Sequence, residues 1–413
     1  MSLASIAQAW SATARPSCES PVGTAARAAR RLLAAAVITT LLGACATRPD
    51  AGPGAASLLH DGLFAAPAEP VDVGKVFAIS PPMREFADAA RAAARGTTDL
   101  RHALLQALTA RDQLQLDYDD GRTRNAAEAF DRRAGNCLSL VLMTSAFAKY
   151  LDLPLRYQSV QVRPLYSRAP DLTLASGHIN VVLSSRPRSL PRDLVRVDEW
   201  TVDFVPPDEL RGVRVQPLAE RTVVAMYMNN RAAETLAAGQ PDQAYAWARE
   251  AVRQDPDYLP GVNTLAVIYL RAGHLAEAEA ALRHVLARAP EDEAALANLA
   301  GALHRAGRVI EAAAVATQLK RIQPHPPFHF LDLGRQALEA GHTAQARELI
   351  ARELLRQPYQ HEAHYWAAVV DATLGDSDAA AKHLQLARDY SGNPEQQGRY
   401  KAKLAALRAA GTN

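Results

Sequence analysis

The segment Arg133-Ala134-Gly135-Asn136-Cys137-Leu138-Ser139-Leu140 places one cysteine at the start of a strongly apolar run. Residues 138–151 are apolar on almost every face and contain neither Pro nor Gly, which predicts a helix buried in a core. Asn136 is a suitable N-cap for this helix. A thiol in the first turn lies at the positive end of the helix dipole, which lowers a cysteine pKa. The sequence therefore indicates a reactive thiolate at Cys137, with a small buried hydrophobic residue as the alternative.

The chain on either side of the cysteine helix has two different patterns. Before it, residues 81–110 and 126–132 show helical periodicity. After it, Val, Ile, Tyr and Trp recur at strand-like spacing over residues 155–163, 177–184 and 194–205. Helices followed by a run of strands indicate an α+β domain with an antiparallel sheet. We therefore predict such a domain over residues 81–224.

From about residue 225 the sequence repeats with a period of 34 residues. Glycines recur at this spacing, at Gly239, Gly273, Gly307, Gly341 and Gly375. Small residues do the same in two further registers, at Ala244, Ala278, Ala312, Ala346 and Ala380 and at Ala232, Ala266, Ala300, Gly334 and Ala368. This period, with Gly in the turn between two helices, matches the tetratricopeptide repeat. The sequence predicts five repeats over residues 225–394 and a capping helix and tail over residues 395–413, which form an all-α solenoid.

Asn230, Asn263 and Asn298 fall at neighbouring positions on successive first helices of the repeats. A solenoid of this kind has a concave groove, where asparagine amides can hydrogen-bond the backbone of an extended peptide. The alternative is that these side chains are solvated or make polar contacts within the repeats. The sequence thus predicts a protein or peptide partner bound through the groove.

Charge and ligand patterns narrow the kinds of partner. The chain has 413 residues, with 46 Lys and Arg against 44 Asp and Glu, and its basic residues are scattered, so we expect no nucleic-acid partner. Histidines lie near one another in the later repeats, at His325, His329, His361 and His364. Such pairs without neighbouring acidic or Cys ligands are weak evidence for a metal site. We predict neither a metal nor a cofactor.

The amino terminus has the pattern of a targeting segment. Three arginines precede an apolar run over residues 32–42, which is too short to span a bilayer because ~20 residues are needed. The sequence Leu42-Gly43-Ala44-Cys45 then resembles the lipobox of bacterial lipoproteins, in which the cysteine is lipidated and becomes the first mature residue. An ordinary cleaved signal is the alternative.

The lipobox resemblance implies a signal peptide over residues 1–44 and a lipid anchor at Cys45. Ala46 after the cysteine is similar to the pattern of lipoproteins passed on to the outer membrane, so we expect an outer-membrane lipoprotein that faces the periplasm. Residues 45–80 begin with a stretch rich in Ala, Gly and Pro, which predicts a flexible tether between the membrane and the folded domains.

One His and one Asp follow Cys137 in the segments Gly177-His178-Ile179-Asn180-Val181-Val182 and Trp200-Thr201-Val202-Asp203-Phe204. This succession resembles the transglutaminase-like superfamily of papain-type thiol enzymes, whose Cys, His and Asp occur in that order on a helix and two adjacent strands. With Tyr227-Met228-Asn229-Asn230 at the entry to the repeats, the chain is similar to bacterial transglutaminase-like proteins fused to tetratricopeptide repeats.

The resemblance implies that Cys137 is the nucleophile, that His178 is the base and later the acid, and that Asp203 orients the imidazole. The thiolate would attack an amide carbonyl to form a thioester, which water or an amine then resolves. Asp198 is the alternative to Asp203. Besides the Cys137 amide, Asn136 is a weaker candidate for the oxyanion hole.

One departure from the wider superfamily is Asn180, which stands where a Trp is frequent, so a tryptophan-walled substrate tunnel is not implied. The expected function is a membrane-anchored periplasmic thiol enzyme, a peptidase or amidase with acyl transfer as a variant, whose repeats recruit a protein or peptide. The alternative is a non-enzymatic tetratricopeptide-repeat lipoprotein that serves as a scaffold for interactions in the cell envelope.

Overall fold

A computed structural model describes residues 54–95, 99–109, 114, 116–119, 121–169, 172–185, 198–204 and 213–410, together with Trp10 and Ser11. Apart from those two residues, the predicted signal peptide lies outside the described part of the chain, and so does the predicted lipidation site Cys45. Among the described residues, no helix combines the length and the apolar content that crossing a bilayer requires.

The first domain begins with helices that surround the cysteine segment. They are α1 (Pro81–Ala93), α2 (Leu100–Thr109), α3 (Ala126–Arg132) and α4 (Cys137–Tyr150). Residues 138–148 of α4 are all buried, and they pack in one core with residues such as Met83, Leu104 and Val181. The prediction of a buried helix is confirmed, because an apolar run without a polar face is covered on every side.

Antiparallel strands follow the helices, as the sequence predicts. The strands of the main sheet are β1 (Trp10–Ser11), β4 (Leu155–Ala169), β5 (Leu172–Ser184), β6 (Glu199–Val202) and β7 (Val215–Leu218), in the order β1-β6-β5-β4-β7. A short parallel pair, β2 (Asp117–Tyr118) with β3 (Ala134–Gly135), lies directly before α4. Strands β4 and β5 form one long hairpin, which continues past a register shift between Val160 and Leu165. The sequence predicts only the parts of this hairpin near the domain core, residues 155–163 and 177–184.

The rest of the chain is a stack of helical hairpins. The helices are α5 (Glu220–Ala237), α6 (Pro241–Gln254), α7 (Leu259–Ala272), α8 (Leu275–Arg288), α9 (Glu293–Arg305), α10 (Val309–Ile322), α11 (His329–Glu339), α12 (Thr343–Arg356), α13 (His361–Thr373), α14 (Ser377–Tyr390) and α15 (Pro394–Ala410). The five repeating glycines all have a positive φ, between +75° and +86°. Only glycine adopts this conformation without strain, so these residues end the first helix of each hairpin. The prediction of an all-α solenoid is confirmed, and its helices pair into hairpins that α15 follows.

The boundary between the two predicted domains needs correction. Helix α5 begins at Glu220, so a boundary between residues 224 and 225 cuts through it. Val223, Val224, Tyr227 and Met228 of this helix belong to the core of the first domain, together with α4. The first helix of the solenoid is therefore shared by both domains.

The prediction of a flexible tether over residues 45–80 is wrong for its described part, residues 54–80. Short 3-10 turns cover Ala55–Leu58, Asp61–Leu63 and Val73–Lys75. We call residues 54–75 the docked arm, because it lies along the first two helical hairpins. The ring of Phe64 stacks on that of Tyr245 with centroids 4.2 Å apart.

Polar contacts also hold the docked arm. The carbonyl of Leu58 accepts a 2.8 Å hydrogen bond from the hydroxyl of Tyr269, which lies 211 residues further along the chain. The backbone N–H of Glu69 donates to Gln243, whose side-chain amide donates back to the Glu69 carbonyl. Contacts at this sequence separation are invisible in local composition, which explains why the sequence suggests a tether.

The β4–β5 hairpin makes a second contact with the solenoid, far from α5. The guanidinium of Arg168 lies 3.9 Å from the ring centroid of Phe328 and 2.8 Å from the Asp332 carboxylate. The side-chain amide of Gln360 donates to the Tyr166 carbonyl at 2.8 Å. The first domain is therefore attached both to the first repeat and to the fourth and fifth.

Candidate active site

Cys137 is the first residue of α4 and is half-buried, with a free thiol. Asn136 caps the helix, because its Oδ1 atom accepts a 2.9 Å hydrogen bond from the backbone N–H of Ser139. Gly135 makes this turn possible, since a Cβ atom there would lie 2.6 Å from the Cβ of Ser139. The local sequence thus sets the thiol where unpaired N–H groups and the helix dipole favour a negative charge.

His178 and Asp203 reach the thiol from two adjacent strands. His178 lies in β5, and Asp203 directly follows β6. The Nε2 atom of His178 is 2.7 Å from Oδ1 of Asp203, and both side chains are less than a tenth exposed. The Cys137 side chain lies close enough to the imidazole to raise its pKa. Because Nε2 is engaged by Asp203, Nδ1 is the ring nitrogen that faces the thiol.

The electrostatics of this cluster favour a charged imidazole. Burial alone would lower the pKa of His178, but its hydrogen bonds with Asp203 and Cys137 outweigh burial and raise the pKa from 6.5 to about 10. Both partners stabilise the imidazolium because each carries a negative charge when ionised. The imidazole of His178 is therefore charged at neutral pH, beside the thiol of Cys137.

Asp198, the alternative to Asp203, has other partners. Its carboxylate lies 3.0 Å from the guanidinium of Arg101 and 3.1 Å from the indole nitrogen of Trp200. Arg101 is only 2% exposed, so it ties the start of β6 to helix α2. Asp198 thus supports the strand that leads to Asp203, and it is Asp203 that contacts the imidazole.

Asn136 makes hydrogen bonds within the cysteine turn, and its role in an oxyanion hole stays a prediction. Its Oδ1 atom caps α4, and its Nδ2 atom donates to the hydroxyl of Thr123 at 2.9 Å. The backbone N–H groups of Cys137 and Leu138 are further donors at this end of the helix, since they have no intrahelical acceptor.

Thr123 is a buried residue that sequence reasoning misses, because it lies in a loop without a pattern. Its hydroxyl accepts from Asn136 and also, at 3.2 Å, from Nδ2 of Asn230 in α5. Its backbone N–H donates to Glu234 at 2.7 Å. Asn230 is therefore a link between the solenoid and the cysteine loop, and its predicted contact with a peptide stays a prediction.

The other two predicted groove residues lie side by side. The Nδ2 atom of Asn298 in α9 donates to Oδ1 of Asn263 in α7 at 3.0 Å. Both are partly exposed and occupy the first helices of neighbouring hairpins. The position is compatible with the predicted contact to a peptide backbone, and that role stays a prediction.

The histidines of the later repeats have partners within the protein. Nδ1 of His364 lies 3.0 Å from Nδ1 of His383, and Nδ1 of His361 lies 3.0 Å from the hydroxyl of Tyr400. Within the described ranges there is no group of three or more His, Cys, Asp or Glu side chains that would hold a metal ion.

Comparison with known proteins identifies the helical part. Residues 235–294 and residues 331–394 match two family models, both described as tetratricopeptide repeat. The carboxyl-terminal part of this chain is a tetratricopeptide repeat solenoid. The matches and the helical hairpins agree, because the matched residues lie within α5–α15.

Solved structures with some similarity to this chain include proteins described as tetratricopeptide repeat proteins. One from Thermus thermophilus is 19% identical, with a TM-score of 0.28, over 44% of this chain and 99% of that chain. Pseudomonas aeruginosa pilF is 21% identical, with a TM-score of 0.27, and the match covers 46% of this chain and 87% of that chain. YrrB, described as having an unusual peptide-binding site, is 17% identical, with a TM-score of 0.24, and the match covers 43% of this chain and 92% of that chain. No curated protein matches the chain.

Proposed function

We propose that this protein is an interaction scaffold that binds a protein or peptide partner through its tetratricopeptide repeats. The repeats themselves carry this proposal, because stacked helical hairpins of this family offer an extended concave surface for other polypeptides. The paired amides of Asn263 and Asn298 supply hydrogen-bonding groups that an extended backbone requires. The comparisons support this function better than an enzymatic one, since they cover only the repeats.

The scaffold proposal is tested with the full chain and photo-crosslinking in an envelope extract. Replacing Asn263 and Asn298 together with Ala removes both amides, so we expect a marked loss of crosslinked partners. Gln345→Ala is a matched control, since it removes an exposed amide from a second helix, α12. Equal crosslinking by the double variant and the control would contradict a role for these asparagines.

A second function, amide-bond chemistry at Cys137, is favoured by one specific observation. The imidazole of His178 contacts both the thiol and Asp203, as a nucleophile, a base and an orienting acid require. No comparison supports this function, so the geometry of these residues alone carries it. Hydrolysis is preferred over amine transfer because water is the abundant acceptor in the periplasm.

The chemistry follows from the positions of the groups. The thiolate sulfur of Cys137 attacks the amide carbon, and the carbonyl oxygen becomes an oxyanion near the backbone N–H groups of the α4 first turn. The Nδ1 proton of His178 passes to the leaving nitrogen, so the C–N bond breaks and a thioester remains. Neutral His178 then takes a proton from water, whose oxygen attacks the thioester and releases the acid and the thiolate.

We also propose that the protein is an outer-membrane lipoprotein anchored at Cys45, as the lipobox resemblance implies. Cells that express the wild-type chain should incorporate labelled palmitate into it, and it should fractionate with outer membranes. Cys45→Ala should abolish both results, whereas Cys18→Ala serves as a control that removes another amino-terminal thiol. Equal labelling of the wild type and Cys45→Ala would rule out this anchor.

A further inference from the structure

The carboxylate of Asp203 is held from two sides by residues of one strand. Its Oδ1 atom contacts Nε2 of His178, and its Oδ2 atom accepts a 3.0 Å hydrogen bond from Nδ2 of Asn180. His178 and Asn180 are two positions apart in β5, so their side chains leave the same face. The antiparallel register that pairs Val181 with Val202 continues by one step and brings Asp203 opposite Asn180.

We propose that Asn180 is a positioning residue, which fixes Oδ2 of Asp203 so that Oδ1 remains on the imidazole of His178. This inference rests on the proposed thiol chemistry of the same site. A carboxylate on a single bond can rotate, and a donor on its second oxygen stops that rotation. The donor is neutral, so it holds the carboxylate without cancelling the negative charge that stabilises the imidazolium.

The unusual environment of Asn180 gives an independent reason for this role. The residue is 4% exposed, and its Oδ1 atom is buried without a hydrogen-bond partner among the described residues. An unpaired buried acceptor costs stability, and an apolar side chain of similar size would avoid that cost. A buried asparagine that is unfavourable for folding is explained if its amide donor is needed at Asp203.

The test is the pH dependence of Cys137 alkylation by iodoacetamide, measured on the full chain by mass spectrometry of the Cys137 peptide. The titratable groups that act on His178 are Asp203 and Cys137. The low-pH limb of the profile, where the alkylation rate falls as the pH is lowered, therefore reports on the ionisation of this cluster. We expect Asn180→Leu to move that limb upward by about one pH unit, because a charge-assisted hydrogen bond of typical strength is lost. The thermal midpoint of Asn180→Leu is measured on the same samples, so that a loss of folding is distinguished from a change in the Cys137 profile.

Two further variants separate positioning from folding. Asn180→Gln keeps an amide, so the pH at which the alkylation rate falls on the acid side should return most of the way to the wild-type value. Val182→Ala changes the next buried position on the same face of β5. It should lower the thermal midpoint and leave the pH profile of alkylation unchanged. An Asn180→Leu profile that superimposes on the wild type, or a shift that Gln does not reverse, would overturn the inference while the thiol chemistry stands. A wild-type profile with no reactivity below the ordinary thiol range would overturn both.

Discussion

Asp203→Asn is expected to lower acyl turnover about 10³–10⁴-fold while the protein stays folded, because the orienting carboxylate of the triad becomes an amide. The Nε2–H group of His178 donates a 2.7 Å hydrogen bond to Asp203, whose negative charge stabilises the charged imidazole. An asparagine lacks that charge and favours the wrong tautomer of the ring. Turnover is measured with p-nitrophenyl acetate, a general acyl donor for reactive thiols.

The control for this substitution is Asp198→Asn. It makes the same chemical change directly before β6, in a carboxylate that contacts Arg101 and Trp200 instead of the imidazole. We expect this variant to keep most of its turnover. Equal losses in both variants would show that a carboxylate near β6 supports the fold and that Asp203 has no special role.

Met228→Ala is expected to destabilise the first domain by ~2–5 kcal/mol, although Met228 lies in a helix of the repeats. Its side chain is fully buried in the core that also contains the cysteine helix α4. Truncation would leave a cavity beside α4, so the loss should appear in the domain that carries Cys137. The loss of stability is measured by urea unfolding, with hydrogen exchange of the α4 amides as the probe of the first domain.

Leu355→Ala in α12 is the matched control for Met228→Ala, since it also shortens a large apolar side chain of the solenoid. Leu355 is 80% exposed, so its loss should change the free energy of unfolding by no more than ~0.5 kcal/mol. Unchanged protection of α4 in Met228→Ala would contradict a shared core and would favour two independent domains.

The parts of this fold that were predictable from sequence are those governed by local chemistry. The glycines at 34-residue spacing mark positions with positive φ, which few other residues adopt. The run from Leu138 onward has no polar face, so its burial follows from composition alone. The approach of Cys137, His178 and Asp203 has a different origin, because it was implied by the resemblance of their segments to transglutaminase-like enzymes.

The parts that sequence reasoning missed depend on distant partners. The docked arm looks like a tether because the residues that bind it, such as Tyr245 and Tyr269, lie in the repeats. Asn230 looks like its counterparts Asn263 and Asn298, yet the first repeat packs on the thiol domain, so its amide meets Thr123. Position within a repeat does not reveal which neighbour a terminal repeat contacts.

Alkylation of Cys137 across a range of pH tests the proposed thiolate and imidazolium pair most directly. With the pKa of His178 raised to about 10, the imidazolium persists through neutral pH and stabilises the thiolate beside it. The wild-type rate should therefore remain high well below pH ~8.5, the range of an ordinary thiol, and His178→Ala should lower it about tenfold near pH 7. A Cys137 that resists iodoacetamide until the protein is unfolded would contradict a reactive site and leave the scaffold as the function of this protein.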